Sequence, residues 1–244
     1  MTTKVPDNTP DDNAPDDNTP ESPSRLLSMV RAIAISPADA ADIASKYGHQ
    51  ARRDHPKESE ADRQDRVAKK IVKRYAALSA TVGGASGLAG VVPGIGTAIA
   101  IGGAVADAAI SIKFQVDMVM CLAATYGYDL NSADAQNLAM LIAISGSLEK
   151  AGVAAGGQFA TKAGVRLLRT YLRGAVLQLL KELFKKFGII FTRKALEKAI
   201  PFGIGVALGA GLNYGLTLYV GNQAIQLFRL DREDGGPAVT LGGG

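Results

Sequence analysis

The stretch GGASGLAGVVPGIG, residues 83–96, and its later counterpart IPFGIGVALGAGLNYG, residues 200–215, decide the fold class. Each lies inside a longer run without a charged residue, Tyr75 to Ala106 and Pro201 to Phe228. Because a charge in hydrocarbon costs about 2.5–3.5 kcal/mol, such runs are typical of helices buried in lipid or in a tightly packed core. We therefore expect an all-α protein, a helical bundle with two apolar segments rich in glycine and alanine.

Glycines recur four residues apart in both stretches, a spacing that lets two helix backbones approach closely. The pattern predicts close helix packing, and a membrane and a soluble core both remain open as its setting. Pro93 interrupts the first stretch, so a helical hairpin is expected there rather than one straight span. The predicted packing positions are Gly83, Gly87, Gly90, Gly94, Gly205, Gly209 and Gly211, with Asn213 predicted to set helix register.

Helix start and stop signals recur along the rest of the chain. Ser36 and Ser59, each followed three residues later by an aspartate, predict two N-caps. Gly48 is expected to end the first of these helices, and Gly83 the second. Further helices are predicted over about 97–127, from about 132, and over about 162–187, 193–200 and 202–229.

Composition divides the chain into four parts. Residues 1–24 repeat proline and aspartate and predict a disordered acidic tail. An N-terminal helical segment is assigned to 25–58, the main helical domain to 59–230 and a flexible tail to 231–244. The net charge is +4, but residues 1–24 hold one lysine and six acids, a local charge of −5, which leaves +9 for 25–244. A basic body of this kind suits an anionic partner.

Two segments of this basic body are amphipathic. A basic face opposite an aliphatic one is typical of a helix lying on an anionic membrane, and equally of the solvated face of an ordinary bundle helix. With no tryptophan and no recognisable nucleic-acid module, nucleic acid is not the expected partner. The predicted membrane-surface residues are Arg66, Lys70, Lys73 and Arg74 before the first stretch and Arg166, Arg169 and Arg173 after it.

The segment 107–130 contains polar side chains at helical spacing. Asp107 and Gln115 fall on one helical face, and Lys113 and Asp117 can pair one turn apart. Hydrogen bonding between helices is the expected role, with ion binding or proton relay as alternatives. Neither a nucleophile elbow nor a phosphate loop is present, and two histidines without cysteine partners predict no zinc site. No enzyme activity, cofactor or metal is expected, and Cys121 is expected to be a buried hydrophobe.

These motifs together resemble the bacterial EcsC family. The resemblance rests on the glycine run after Gly83, on Asp107, on the helix that ends in Tyr126-Gly127-Tyr128-Asp129, and on Gly205, Gly209, Gly211 and Asn213. It covers about residues 60–230. The run from Asp107 through Gln115 to Tyr126-Gly127 is also similar to a domain of unknown function in membrane proteins associated with bacterial GTPases.

The resemblance implies a helical, membrane-associated bacterial protein, linked to an ABC transporter and without an established activity. We expect a non-enzymatic accessory or regulatory protein on the cytoplasmic side of the membrane, with anionic lipid, a transporter component or a second copy of itself as partner. The acidic start lacks the features of a secretory signal, which favours a cytoplasmic starting compartment. The alternatives are a cytoplasmic helical bundle that binds an apolar ligand or a protein, and a pore-forming or membrane-disrupting effector.

Overall fold

The computed structural model of the 244-residue chain describes residues 30–81, 104–150 and 204–235. Within these ranges the regular structure is helical, without a strand, which confirms the all-α prediction. The long helices are α1 (Pro37–Asp54), α2 (Glu60–Ala80), α3 (Ala104–Thr125), α4 (Ala133–Lys150) and α5 (Ile204–Glu233). Outside the described residues lie the acidic tail, Gly83, Gly87, Gly90 and Gly94, and Arg166, Arg169 and Arg173.

Both predicted serine N-caps are present. The Ser36 hydroxyl accepts a hydrogen bond from the backbone N–H of Asp39 at 3.1 Å, and Ser59 accepts one from Asp62 at 3.2 Å. Each serine satisfies a backbone donor that the first helical turn leaves without a partner. The starts of α1 and α2 are therefore determined by local sequence.

The predicted end of α1 at Gly48 is wrong, since the helix continues to Asp54. Gly48 is buried on the same face as Ala40, Ala44 and Ala51. A face of small side chains at this spacing lets α1 lie close to its neighbours, and burial of that face outweighs the roughly 1 kcal/mol by which glycine disfavours a helix interior.

Helix α3 is the centre of the bundle and packs against each of the other four long helices. Every residue from Ile110 to Ala123 is buried, including the cysteine at 121. A helix that is apolar on all sides is stable in water only when other helices surround it. Aromatic and aliphatic side chains from the surrounding helices complete one continuous core, among them Ile71, Tyr75, Leu141 and Phe228.

The pair of α2 and α5 forms one wall of the bundle. Ser79 near the end of α2 lies 3.1 Å from the carbonyl oxygen of Asn213, while Asp65 near its start is bonded to Arg229. The two helices therefore run antiparallel. Thr217 adds a hydrogen bond to the Ser79 hydroxyl at 2.9 Å, so a fully buried polar link ties α5 to α2.

Among the glycines of α5 whose surroundings the structure describes, Gly221 lies closest to neighbouring helices. A Cβ atom there would lie 2.6 Å from both methyl carbons of Val72 and 3.0 Å from Met118 Sδ, so only glycine fits without a shift of its neighbours. The packing predicted at Gly211 has no such contact, because a Cβ atom at Gly211 or Gly215 would meet nothing within 4 Å. The contact lies farther along α5, where the helix crosses α2 and α3.

The chain reverses after α3 through a glycine. Gly127 has a φ of +88°, and its N–H donates to Ala124 O at 3.1 Å while Tyr128 N–H donates to Ala123 O at 3.0 Å. These two bonds form a Schellman motif, which requires a residue in the left-handed region. The predicted helix end at Gly127 is thus confirmed, and it fixes where Tyr126 and Tyr128 leave α3.

Candidate functional site

The exposed side of α2 is the first candidate site. Between Arg66 and Arg74 this helix carries five basic residues, and no acid occurs from residue 66 to residue 106. Arg66, Lys69, Lys70, Lys73 and Arg74 are all exposed. The basic side chains on the edge of this face nearest α1 contact residues of α1 or of its loop. Those farther from α1 make no ion pair with the described residues.

Three of the predicted membrane-surface residues contact side chains of α1 or of the loop between α1 and α2. Arg66 donates to the Glu58 carboxylate at 2.7–3.0 Å, and this hydrogen bond lowers the pKa of Glu58. Lys70 donates to Gln50 Oε1 at 2.8 Å and lies 5.3 Å above the centre of the Tyr47 ring. A hydrogen bond to the hydroxyl of Tyr47 raises the pKa of Arg74. These groups join α2 to α1 and its loop.

Two lysines remain available for a partner. Lys69 and Lys73 are exposed and make no ion pair with the described residues. With Arg66 they follow the helical spacing of three and four residues, which places them on one face. We call Lys69 and Lys73 the lysine pair. Lys69 was not among the predicted site residues, although this spacing from Arg66 to Lys73 is visible in the sequence.

Arg63, three residues before Arg66 on α2, is buried. It forms an ion pair with Glu60, and its Nη2 donates to the Glu58 carbonyl oxygen at 2.7 Å. Arg52 also lies 3.6 Å from Glu60. The guanidinium of Arg63 therefore ties the α1–α2 loop together and leaves the exposed face to the residues after it.

A second polar cluster lies where the Tyr126-Gly127-Tyr128 run meets α2 and α5. The Asp65 carboxylate accepts hydrogen bonds from the Tyr126 hydroxyl at 2.7 Å and from Arg229 Nε at 2.9 Å, and Arg229 Nη2 lies 2.7 Å from its other oxygen. Arg232 donates to Gln64 at 2.8 Å. Charge-assisted, two-pronged contacts of this type hold three helices in one arrangement.

Aromatic packing surrounds this cluster. The Tyr126 ring stacks on Phe228 with centroids 5.5 Å apart, Tyr128 lies 5.2 Å from the same ring, and Arg232 lies 5.6 Å from the Tyr126 centroid. The Tyr128 hydroxyl donates to Asp231. Burial and the hydrogen bond to Asp65 raise the pKa of Tyr126, so its hydroxyl stays protonated and remains a donor. The cluster is a structural joint in which every polar contact is satisfied within the chain.

We expect Tyr126→Phe to lower the free energy of unfolding by about 1.5–3 kcal/mol, because it removes a buried hydrogen bond to a charged carboxylate. Urea unfolding followed by circular dichroism measures this change. Tyr214→Phe is the matched control, since Tyr214 is exposed and should change stability by no more than about 0.5 kcal/mol. Equal stability of the Tyr126→Phe variant and the wild type would contradict the structural role.

A buried ion pair lies at the middle of α3. Lys113 and Asp117 are bonded one turn apart, as the sequence predicted, and each side chain is 3% exposed. The other Asp117 oxygen accepts the backbone N–H of Ile35 at 2.8 Å, so α3 also holds the segment before α1. Burial raises the pKa of Asp117, while Lys113 and the Ile35 N–H act in the opposite direction.

Tyr75 and Cys121 lie beside this pair in the core. The Tyr75 hydroxyl lies 3.5 Å from Cys121 Sγ. Burial raises the pKa of Tyr75, and it raises the pKa of the Cys121 thiol to about 12. A thiol of this kind is not a nucleophile at neutral pH. The prediction of Cys121 as a buried hydrophobe is confirmed.

The remaining predicted positions are not brought together into one site. Asp107 lies in α3, Gln115 is buried in the core, and Gly205 and Gly209 lie in the first turns of α5. Asp129 is exposed and accepts hydrogen bonds from the backbone and the side chain of Asn131 at 3.0 and 3.2 Å, which orders the loop before α4. Asn213 contacts α2 through its carbonyl oxygen.

Among the helices that the structure describes, α1–α5, none has both the length and the apolar character needed to cross a bilayer. Over the same ranges, no group of three or more histidine, cysteine, aspartate or glutamate side chains could hold a metal ion. The glycine-rich helix α5 packs against α2, α3 and α4.

The EcsC protein family model matches residues 34–232, which is most of the chain and includes α1 through nearly all of α5. The chain belongs to the EcsC family. No curated protein and no solved structure shows a match. The family range takes in the Tyr126 joint, the buried Lys113–Asp117 pair and the basic face of α2, so each of these features lies inside the EcsC domain.

Proposed function

We propose that this EcsC-family protein is a non-enzymatic accessory protein that binds anionic membrane surfaces through the exposed face of α2. The observation that carries the proposal is the lysine pair, two exposed ammonium groups one turn apart without a partner among the described residues. Each basic residue near an anionic bilayer contributes about 1 kcal/mol of attraction. The surplus of +9 on residues 25–244 adds to this attraction.

The surroundings of the lysine pair support a lipid partner. No acid occurs on α2 after Asp65, so nothing on the second half of the helix repels phosphate. The neighbouring bases Arg66, Lys70 and Arg74 are anchored to α1 residues or to the loop, which keeps them at the edge of the same face. A rigid helix that presents several cations on one side can contact several headgroups at once.

The test is cosedimentation of the full chain with vesicles of phosphatidylglycerol and phosphatidylcholine. We expect Lys69→Gln/Lys73→Gln to weaken binding roughly 30-fold, since two contacts of about 1 kcal/mol each are lost. The matched control is Arg53→Gln/Lys57→Gln, which removes the same charge from two exposed residues, one in the last turn of α1 and one in the loop that follows it.

The control should bind as the wild type does, and high salt should release all three proteins because the attraction is electrostatic. Equal weakening in both double variants would mean that net charge, rather than this face, drives association. Failure of the wild type to bind anionic vesicles would overturn the proposal and favour a soluble bundle with a protein partner or an apolar ligand.

A further inference from the structure

The open side of α5 lies next to the lysine pair. Gly211, Tyr214 and Gly215 are exposed, and Tyr214 is the one large hydrophobic side chain among the described residues that is exposed, at 39%. A Cβ atom at either glycine would meet nothing within 4 Å. Around residues 211–215, α5 therefore presents an uncharged surface that the described part of the fold leaves uncovered.

Helix geometry places this surface on the same side of the bundle as the lysine pair. At about 100° per residue, Lys69 and Lys73 lie about 60–100° around α2 from Val72, which points at α5. Gly211 and Gly215 lie about 80–120° around α5 from Gly221, which points at α2, and Tyr214 lies about 20° from Gly221 in the same direction, at the edge of this surface nearest α2. Helices α2 and α5 are antiparallel, and α3 packs against one side of these two helices. The lysine pair and the two glycines therefore face outward together on the opposite side.

The two sets also lie close together along the helix axes. Ser79 is level with Asn213, and Lys73 lies six residues before Ser79, about 9 Å along α2. A lysine stem can reach across most of that distance. The sequence from 198 to 230 contains no acid, and Pro201 to Phe228 contains no charge. An uncharged helix face therefore lies on the same outer side of the bundle as the lysine pair.

We infer that the surface of α5 around Gly211, Tyr214 and Gly215 enters the boundary between the headgroups and the acyl chains of the anionic bilayer that the lysine pair binds. This inference rests on the proposed function. Tyrosine is favoured at that depth because its ring is apolar and its hydroxyl remains hydrated. Glycines without side chains allow the helix backbone to lie close to the lipid surface. The lysine pair then contacts phosphate while Tyr214 reaches below it.

The chain contains no tryptophan, so one introduced tryptophan reports on a single position. We would place it by Tyr214→Trp and, as the matched control, by Gln226→Trp, an exposed position on the same helix about 18 Å farther along. The probe is vesicles of phosphatidylglycerol and phosphatidylcholine in which part of the lipid carries bromine on its acyl chains. Gly211→Trp replaces the first variant if that variant fails to fold, since the glycine has open space around it.

At equal bound fraction, we expect the Tyr214→Trp emission to shift to shorter wavelength and to lose most of its intensity, while the Gln226→Trp emission stays unchanged. Tyr214→Glu should weaken vesicle binding at least about tenfold, and Gln226→Glu, of identical charge, should not. Binding without quenching at 214, or with equal quenching at both positions, would overturn the inference and leave surface binding intact. Absence of any cosedimentation would overturn both.

Discussion

Lys113→Met is expected to lower the free energy of unfolding by about 3–5 kcal/mol. Lys113 and Asp117 are each 3% exposed, so removal of the ammonium group leaves a carboxylate in the core without its counter-charge. The desolvation that disfavours this charge is then no longer offset. Urea unfolding measures the loss. Lys46→Met, which changes an exposed lysine on α1, is the control and should shift stability by at most about 0.5 kcal/mol.

The double variant Lys113→Met/Asp117→Asn should recover most of the lost stability. Asparagine keeps an oxygen that can accept the Ile35 N–H, now 2.8 Å from Asp117, while it removes the buried charge. If the double variant were no more stable than Lys113→Met, the loss would come from side-chain packing rather than from the unpaired carboxylate.

The pH dependence of Lys113→Met provides a separate readout. Burial already raises the pKa of Asp117 above its ordinary value of 3.8, and Lys113 is the first of the groups that oppose this. Without Lys113 the folded-state pKa rises further, so above pH 3.8 the folded state binds more protons than the unfolded state. The stability of the variant should therefore fall as the pH rises from 3.8 toward the raised folded-state pKa of Asp117. Equal unfolding midpoints at about pH 5 and about pH 8 would contradict this.

Gly221→Ala is expected to destabilise the protein by about 1–2 kcal/mol. The new Cβ atom would lie 2.6 Å from both Val72 methyl carbons and 3.0 Å from Met118 Sδ. Valine has one strongly preferred rotamer in a helix and cannot turn away, so α2 and α5 must separate. Overpacking of this kind costs about 1–3 kcal/mol, which outweighs the gain of up to about 1 kcal/mol in helix propensity. The measurement is again the free energy of unfolding in urea.

Gly215→Ala in the same helix is the matched control and should have the opposite sign. No atom lies within 4 Å of its Cβ position, so the gain in helix propensity of about 0.5–1 kcal/mol remains. Adding Val72→Ala to Gly221→Ala removes the clashing methyl groups, and the two substitutions together should cost less than the sum of their separate effects. Strict additivity would mean that α2 and α5 do not meet at this point.

Local sequence determined the parts of the fold that need only neighbouring residues. Ser36 and Ser59 cap helices because their hydroxyls bond to the backbone three residues later, and Gly127 ends α3 because it adopts a positive φ. The pairing of Lys113 with Asp117 follows from their separation of one helical turn. Gly48 does not end α1, because the stop signal of a glycine is weaker than the packing of the face on which it lies.

The candidate site was only partly visible in the sequence. The basic character of α2 was evident, but which bases are available to a partner depends on Glu58, Gln50 and Tyr47, which engage Arg66, Lys70 and Arg74 across the α1–α2 interface. The joint between Asp65, Tyr126 and Arg229 unites residues 61 to 164 positions apart. No periodicity within one helix indicates such a contact.

The sequence by itself determined that this protein is an all-α member of the EcsC family with uncharged, glycine-rich stretches and a basic body. These properties depend on composition and on contacts within one or two helical turns. Only the tertiary structure decided that α3 is surrounded, that Gly221 is a packing glycine while Gly211 is not, and that the lysine pair shares one outer side with Gly211 and Gly215. The reason is physical: the side of a helix that is buried depends on which helices surround it, and distant parts of the chain supply those helices.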